Sequence, residues 1–308
     1  MKFGEVGGII ASASRKAAYP MLQIGHIPIV KRIVLTFQQA GIFPIVIITG
    51  ADEEAVKTEL ADYGVIFLSN TDSEATSLFE SVKIGLSYLK DKCDRVVFAP
   101  VNVPMFTPDT LRSLLHTDYE IATPSYRQEG GHPILLSSSI IPEILAYQGE
   151  NGLRGAVTSM GDRRKWVEVD DEGIISSVYH PERLTASLDS HNQSILHPFM
   201  RISIEKESLF FNARAKLLLF LLTDTHSVRT ACQQMALSYA KAWDMLNTLE
   251  TQLGYPILSR RQGGSHGGKT DLNEKGLLFL QAFREFENNV FLYTQAEFTR
   301  IFLETNIL

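Results

Sequence analysis

The sequence predicts an α/β chain of two parts: a doubly wound sheet over residues 1–190, then a winged helix-turn-helix module over residues 200–308. Three observations carry this. Apolar runs and helix-period runs alternate regularly through the first hundred residues, the rhythm of parallel crossover units. A polar, breaker-rich stretch at 184–200 separates two apolar regions and reads as the linker. Beyond it, residues 227–269 have helix-turn-helix punctuation that runs into a glycine-rich tip.

The elements of the first part follow in order. Residues 3–12 are an apolar run ending in small residues, and residues 28–40 place Ile29, Ile33, Val34 and Phe37 on one helical face. Ile45 to Thr49 is a continuous apolar strand of the kind buried on both faces. Helix at 53–63, strand at 65–68, helix at 77–89 and strand at 95–100 repeat the rhythm. Such sheets bind ligands beyond the carboxyl ends of their strands, where the loop after the first strand can wrap a phosphate.

In the second part, residues 201–211 read as an extended start and residues 213–223 as a first helix. A helix at 228–235 breaks at Ala236 and Leu237, and Ser238 stands as the N-cap of the next. There Ala242, Met245, Leu246 and Leu249 face a core, with Trp243 read as core too, while Tyr239, Lys241, Asp244 and Asn247 face outward. Pro256, Ile257 and Leu258 begin a strand, Arg260 and Arg261 follow, and the tip contains His266 before Lys269. A hairpin with cations at base and tip suits phosphate, since Lys and Arg release counterions and glycine lets backbone approach closely. Ser238, Tyr239, Lys241, Asn247, Arg260, Arg261, His266 and Lys269 are the expected contacts to double-stranded DNA. The apolar stripe over 273–301, with Leu277, Leu280, Phe283, Phe286, Val290, Phe291 and Tyr293, is read as a dimerisation helix of a homodimer.

Composition sets outer limits. With 308 residues, 44% hydrophobic and 21% charged, the chain can bury two cores. A net charge of -6 argues against a nonspecific polyanion binder, so any nucleic-acid contact needs a local basic face. Two cysteines, Cys93 and Cys232, offer neither a disulfide framework nor a cysteine-rich metal site. With no signal-like start and no membrane span in the sequence, a cytoplasmic protein without membrane contact is expected.

Family resemblances sharpen both halves. The run Ser238-Tyr239-Ala240-Lys241-Ala242-Trp243-Asp244-Met245-Leu246-Asn247, the Arg260-Arg261 pair and the glycine pattern before Lys269 resemble the DNA-binding domain of molybdate-responsive, ModE-like regulators, relatives of LysR-type winged helices. That resemblance spans roughly 201–299 and implies transcription regulation; the family's separate molybdate-binding module is not seen after the wing. Over about 5–185 the order of segments resembles MobA-like nucleotidyltransferases of the molybdenum cofactor: residues 9–22, 25–28, 81–86, 98–108, Gly131-His132-Pro133 and 149–154. It implies a Rossmann-like nucleotidyltransferase sheet.

The departures from that family carry information. Its first loop crowds backbone amides around a triphosphate with glycines, where this chain has Ala11 or Ser12 and Ala17. The family lysine is replaced by Tyr19 or Pro20, and the aspartate that holds magnesium by Asn102. The carboxylate of an Asp-x-Asp-Thr-Pro-like turn is missing at Val178-Tyr179-His180-Pro181-Glu182. Magnesium beside a polyphosphate needs anionic oxygens. We therefore expect no catalytic residues and no metal ligands, with magnesium relevant only if transfer activity persists. Asp170 to Gly173 reads as a tight turn between strands. Ala11, Ser12, Ser14, Arg15, Lys16, Asn102 and His132 are the residues expected to meet a small anionic ligand: a nucleotide, a pterin or an oxyanion. Three functional readings stay open. One is a DNA-binding regulator whose first domain senses a ligand; another is an active guanylyl- or cytidylyltransferase joined to a regulator; the third is a scaffold in which both folds only make protein contacts.

Overall fold

A computed structural model of the chain describes residues 4–13, 20–72, 77–261 and 269–305. The chain divides into two compact units, residues 1–196 and 197–308. No helix among the described residues is long and apolar enough to cross a membrane.

In the first unit, β1 (Gly4–Ala11), β2 (Ile45–Thr49), β3 (Ile66–Ser69) and β4 (Cys93–Pro100) pair in parallel, with α1 (Ile29–Gln39), α2 (Glu53–Leu60) and α3 (Leu78–Leu89) in the crossovers. β1 lies between β2 and β4, so the strand order reverses there, and its register with β4 runs from Gly4–Cys93 to Ala11–Pro100. Gly8 lets α1 pack closely, since a Cβ there would sit 2.6 Å from the Phe37 ring.

Past β4 the chain departs from a purely parallel plan. After α4 (Pro108–Leu115) come β5 (Ile121–Tyr126), β6 (Ile134–Ser137), α5 (Ile141–Ala146), α6 (Gly152–Ser159) and β7 (Arg164–Glu168). β6 inserts antiparallel between β4 and β5, and β7 closes that edge parallel to β5, giving the order β7-β5-β6-β4-β1-β2-β3. The short strand Glu129–Gly130 pairs with β5.

The segment expected as linker is instead largely helical: α7 spans Pro181–Ser194, with Leu184 and His191 buried. Leu184, Leu188 and His191 are four and three residues apart, a one-sided stripe that its polar composition masks. His191 meets the buried Arg32 of α1. Arg32 Nη1 donates to His191 Nδ1 (3.1 Å) and to Asn192 Oδ1 (2.8 Å), and Nη2 donates to the Ile24 carbonyl (2.6 Å). Since a guanidinium only donates, the imidazole proton lies on Nε2, facing the Phe106 carbonyl at 3.2 Å. Asp171 does not turn between two strands. It follows β7, caps a 3-10 turn through Gly173 N–H (2.9 Å), and takes bonds from Thr107 N–H (2.8 Å) and the hydroxyls of Thr107 (3.0 Å) and Thr110 (2.5 Å).

The second unit opens with the paired strands Ile204–Glu205 and Leu209–Phe211, then α8 (Ala213–Thr225), α9 (Val228–Gln234) and α10 (Tyr239–Leu253). Asn212, Ser227 and Ser238 cap these helices by accepting from the N–H of Ala215, Thr230 and Lys241. The break between α9 and α10 falls at Ala236, with φ 51°. Gly254, at φ 76°, ends α10, and β8 (Leu258–Arg261) pairs antiparallel with β9 (Lys269–Leu272) before α11 (Glu274–Phe298).

Two sequence expectations change here. Trp243 is only half-buried, because the α10 core stripe is Ala242, Leu246 and Leu249, with Met245 half-buried beside it. Phe283 belongs to the unit's own core, edge-on to Phe211 at 4.7 Å, whereas Phe286 and Tyr293 further along α11 are 52% and 69% exposed.

Burial, with Arg32 next to it, pushes the His191 pKa down to about 4. Its folded value thus lies below the usual 6.5, so the unfolded chain binds the extra proton as pH falls. This stabilisation is complete above about pH 6.5 and drains away toward pH 4. Denaturant unfolding of the intact chain should find the first unit weaker at pH 5 than at pH 7, with about 2 kcal/mol of the difference abolished in His191→Gln.

Candidate functional site

At the carboxyl ends of β1 and β4, the Ala11 carbonyl accepts the Val101 N–H (3.1 Å). Ala11 is fully buried in the strand. Ser12 is nearly so, and its hydroxyl donates to the Ile48 carbonyl (2.8 Å), which leaves it lone pairs rather than a proton to offer. Ser81, from α3, donates to the Ala13 carbonyl (2.7 Å) and accepts from Asn70 Nδ2 (3.0 Å), tying this loop to the end of β3. Ser14, Arg15, Lys16, Ala17 and Tyr19 lie outside the described residues.

Asn102 follows β4. Its Nδ2 donates to Ser177 Oγ at 3.3 Å, and its carbonyl accepts the Val178 N–H at 2.9 Å. The two segments at which the family resemblance places carboxylates therefore meet through the Asn102 carbonyl and the Val178 N–H, with the Ser177 hydroxyl just before the second segment, while Tyr179 is exposed. Neutral oxygens of this kind do not fit a divalent magnesium ion beside phosphates. Among the described residues no cluster of three or more His, Cys, Asp or Glu is arranged to hold a metal.

A cavity of about 890 Å³ opens between the first turn of α3, the start of α6 and the edge strand β7. His132 contributes an enclosed ring, edge-on to Phe98 at 5.6 Å, and its Nδ1 is buried with no hydrogen-bond partner. Burial pushes its pKa down to about 4, so the imidazole is neutral near pH 7. The adjacent Gly131 fits because a Cβ there would lie 2.3 Å from the Ile174 carbonyl oxygen. At the opposite wall the Arg164 guanidinium lies 3.7 Å from the Trp166 ring centroid, and its Nε donates to Thr123 Oγ1 (3.0 Å).

Burial first, then the positive charge of Arg154, hold the Arg164 guanidinium below its ordinary pKa. Both arginines line the cavity, and no carboxylate among the described residues pairs with either. Asn151 and Gly152, with φ 63° and 54°, start α6 without a side-chain cap, so its amide-rich end also faces this space. Like charges held together beside free amides suit an anion, and the Trp166 and Phe98 rings suit a planar group.

Among the described residues expected to meet a ligand, His132 lines the cavity, while Ala11, Ser12 and Asn102 border the strand ends. Sequence reasoning missed Arg164 and Trp166. A signal existed, since residues two apart on a strand share a face. Arg154 and Gly152 fall inside the family-matching stretch without having been given a role.

In the second unit Ser238 caps α10, with Tyr239, Lys241 and Asn247 exposed along its outer side. Lys269 is exposed on β9. Arg260 donates to Glu250 Oε2 (2.9 Å) and lies 4.9 Å from the Trp243 ring centroid. Arg261 ends β8, paired with Lys269 across the hairpin, and His266 lies outside the described residues.

Comparison with known proteins bears on the first unit. No curated protein sequence matches the chain. Among solved structures, Rv0371c from Mycobacterium tuberculosis H37Rv is similar at 21% identity, covering 61% of this chain and 100% of its own, with a TM-score of 0.50. A nucleotidyl transferase from Methanothermobacter thermautotroptrophicus shares 17% identity over 61% of this chain and 98% of its own, at 0.53. The 4-diphosphocytidyl-2C-methyl-D-erythritolsynthase of Anaerococcus prevotii shares 13% over 61% and 96%, at 0.52. At these identities the likeness is one of fold. The family model described as MobA-like NTP transferase domain matches residues 14–164. The chain thus carries a MobA-like NTP transferase domain over those residues, on the mixed, mainly parallel sheet of the nucleotidyltransferase fold.

Proposed function

We propose that this chain is a ligand-responsive transcriptional regulator, a homodimer in which a winged helix-turn-helix second unit binds duplex DNA and the nucleotidyltransferase-like unit senses a small anion without transferring nucleotide. The observation that carries the DNA reading is α10: a Ser238-capped helix with Tyr239, Lys241 and Asn247 exposed on it, followed directly by the hairpin β8–β9. That order supports an exposed helix laid against base edges and a hairpin set on the neighbouring phosphates. The sensing reading draws support from the neutral meeting of Asn102 with Ser177 and from the arginine-lined cavity. The loop containing Ser14, Arg15 and Lys16 is proposed as a second anion contact. A tie to molybdate or molybdenum-cofactor metabolism is part of the same proposal and rests on the two sequence resemblances.

Anisotropy with a fluorescent duplex across a salt titration tests DNA binding. Lys241→Ala and Lys269→Ala should each weaken it and flatten the log–log salt slope by about one unit. Unchanged slopes in both would remove the proposed contacts.

Calorimetry with GTP, CTP and a phosphorylated pterin tests the sensor, alongside a pyrophosphate-release assay containing magnesium or manganese. We expect one of these to bind with an affinity that Arg164→Ala lowers at least about tenfold, the scale of one lost charge-assisted bond, and no pyrophosphate. Steady pyrophosphate release would replace this reading with that of an active transferase.

The exposed half of α11 is proposed to hold the dimer. Sedimentation of Phe286→Glu should show monomer where the native chain is dimeric. Phe283→Ala should instead destabilise the fold by about 3–5 kcal/mol, the range for an emptied aromatic site.

A further inference from the structure

Building on the DNA-binding reading of the second unit, we infer that Glu250 is a positioning residue for that surface, and that Arg260 serves to place the hairpin rather than to hold phosphate. Glu250 stands in the last turn of α10. Its Oε1 accepts two successive backbone N–H groups, from Ile257 (2.8 Å) and Leu258 (3.1 Å), and its Oε2 accepts Arg260 Nη2 (2.9 Å). The carboxylate is 19% exposed and the arginine 51%. One carboxylate thus organises the entry to β8 through three charge-assisted bonds, each stronger than a neutral one.

The guanidinium is held from a second direction by Trp243, whose ring is edge-on to Tyr239 at 6.2 Å. Tyr239, Trp243 and Glu250 are four and seven residues apart, so all three rise from one face of α10. Across the hairpin entry, the Ile257 carbonyl accepts the Asn273 N–H (2.8 Å), and Asn273 Nδ2 donates to the Pro256 carbonyl (2.8 Å). Residues 256–258 are therefore braced by α10 on one side and by the start of α11 on the other. Arg260 pairs with Thr270 in the hairpin register, so displacing it shifts both strands.

Electrostatics and geometry make opposite demands on a substitution here. Deleting a negative charge beside a polyanion surface should tighten binding. Loss of the brace should loosen it, because the hairpin no longer sits where α10 requires.

The test uses the full chain as Glu250→Gln and Arg260→Lys, with hydrogen exchange and anisotropy on a mixed-sequence duplex. In Glu250→Gln we expect the Ile257 and Leu258 amides to exchange about tenfold faster and DNA affinity to fall by about tenfold, with an unchanged salt slope. Arg260→Lys keeps the charge and loses the stacked fork, so it should also weaken binding. Native-like or tighter affinity in Glu250→Gln, or native-like affinity in Arg260→Lys, would overturn the proposal. Should Glu250→Gln fail to fold, Arg260→Lys alone decides. A native chain that binds no duplex would end the DNA reading and Glu250's part in recognition, while faster exchange in Glu250→Gln would still establish the brace.

Discussion

The parallel pairing of β1 with β4 is the constraint on which the first unit depends. Its register brings Ala11 opposite Pro100, so the loops after both strands emerge side by side at the point where strand order reverses. Buried, continuous strands tolerate no slip, since shifting by one residue turns every side chain to the other face. Ser12, Ala13, Val101 and Asn102 consequently occupy fixed places whatever chemistry they retain. The antiparallel insertion of β6 beside β4 then places His132, two residues before β6, against Phe98. Without that pairing the enclosed imidazole and the arginines of the far wall would share no cavity.

A fold of this kind separates scaffold from chemistry. The likeness to nucleotidyltransferases resides in the sheet and crossovers, which any sequence of suitable apolar pattern can satisfy. The reactive apparatus depends instead on a few side chains, and here an amide and a hydroxyl, those of Asn102 and Ser177, meet beyond the end of β4. Arg154 and Arg164 keep a cationic wall that needs no metal to attract an anion.

Much of the alternating first half was legible in the sequence because β1 through β4 each carry an apolar run and are separated by one-sided helices. The later elements were harder to read. β6 spans four residues and α5 six, too few for periodicity to declare itself. α7 escaped because its buried side holds a histidine bonded to arginine, a polar contact that hydropathy counts as surface. The cavity walls could not be assembled from sequence either: Ser77, Phe98, Thr123, His132, Arg154 and Trp166 are separated by turns and crossovers whose geometry no local pattern encodes. In the second unit the cap of α10 was plain in Ser238, whereas that of α9, Ser227, was not singled out. The half-buried position of Trp243 was not plain, because its neighbour Arg260 lies across the hairpin entry rather than along the helix.

The anchoring of α7 changes where the first unit can be severed. Arg32 is 1% exposed, and of the acceptors that meet its guanidinium, two side chains belong to α7 and one backbone carbonyl to Ile24. A chain cut at about residue 180, where the family match and the strands have already ended, would retain every strand of the sheet and lose both of those side chains. It would remove two of the acceptors of this guanidinium, a heavier penalty than the loss of fourteen mostly polar helix residues suggests. The first compact unit therefore ends after Leu196, and the helix that looks most like a tether belongs to that unit.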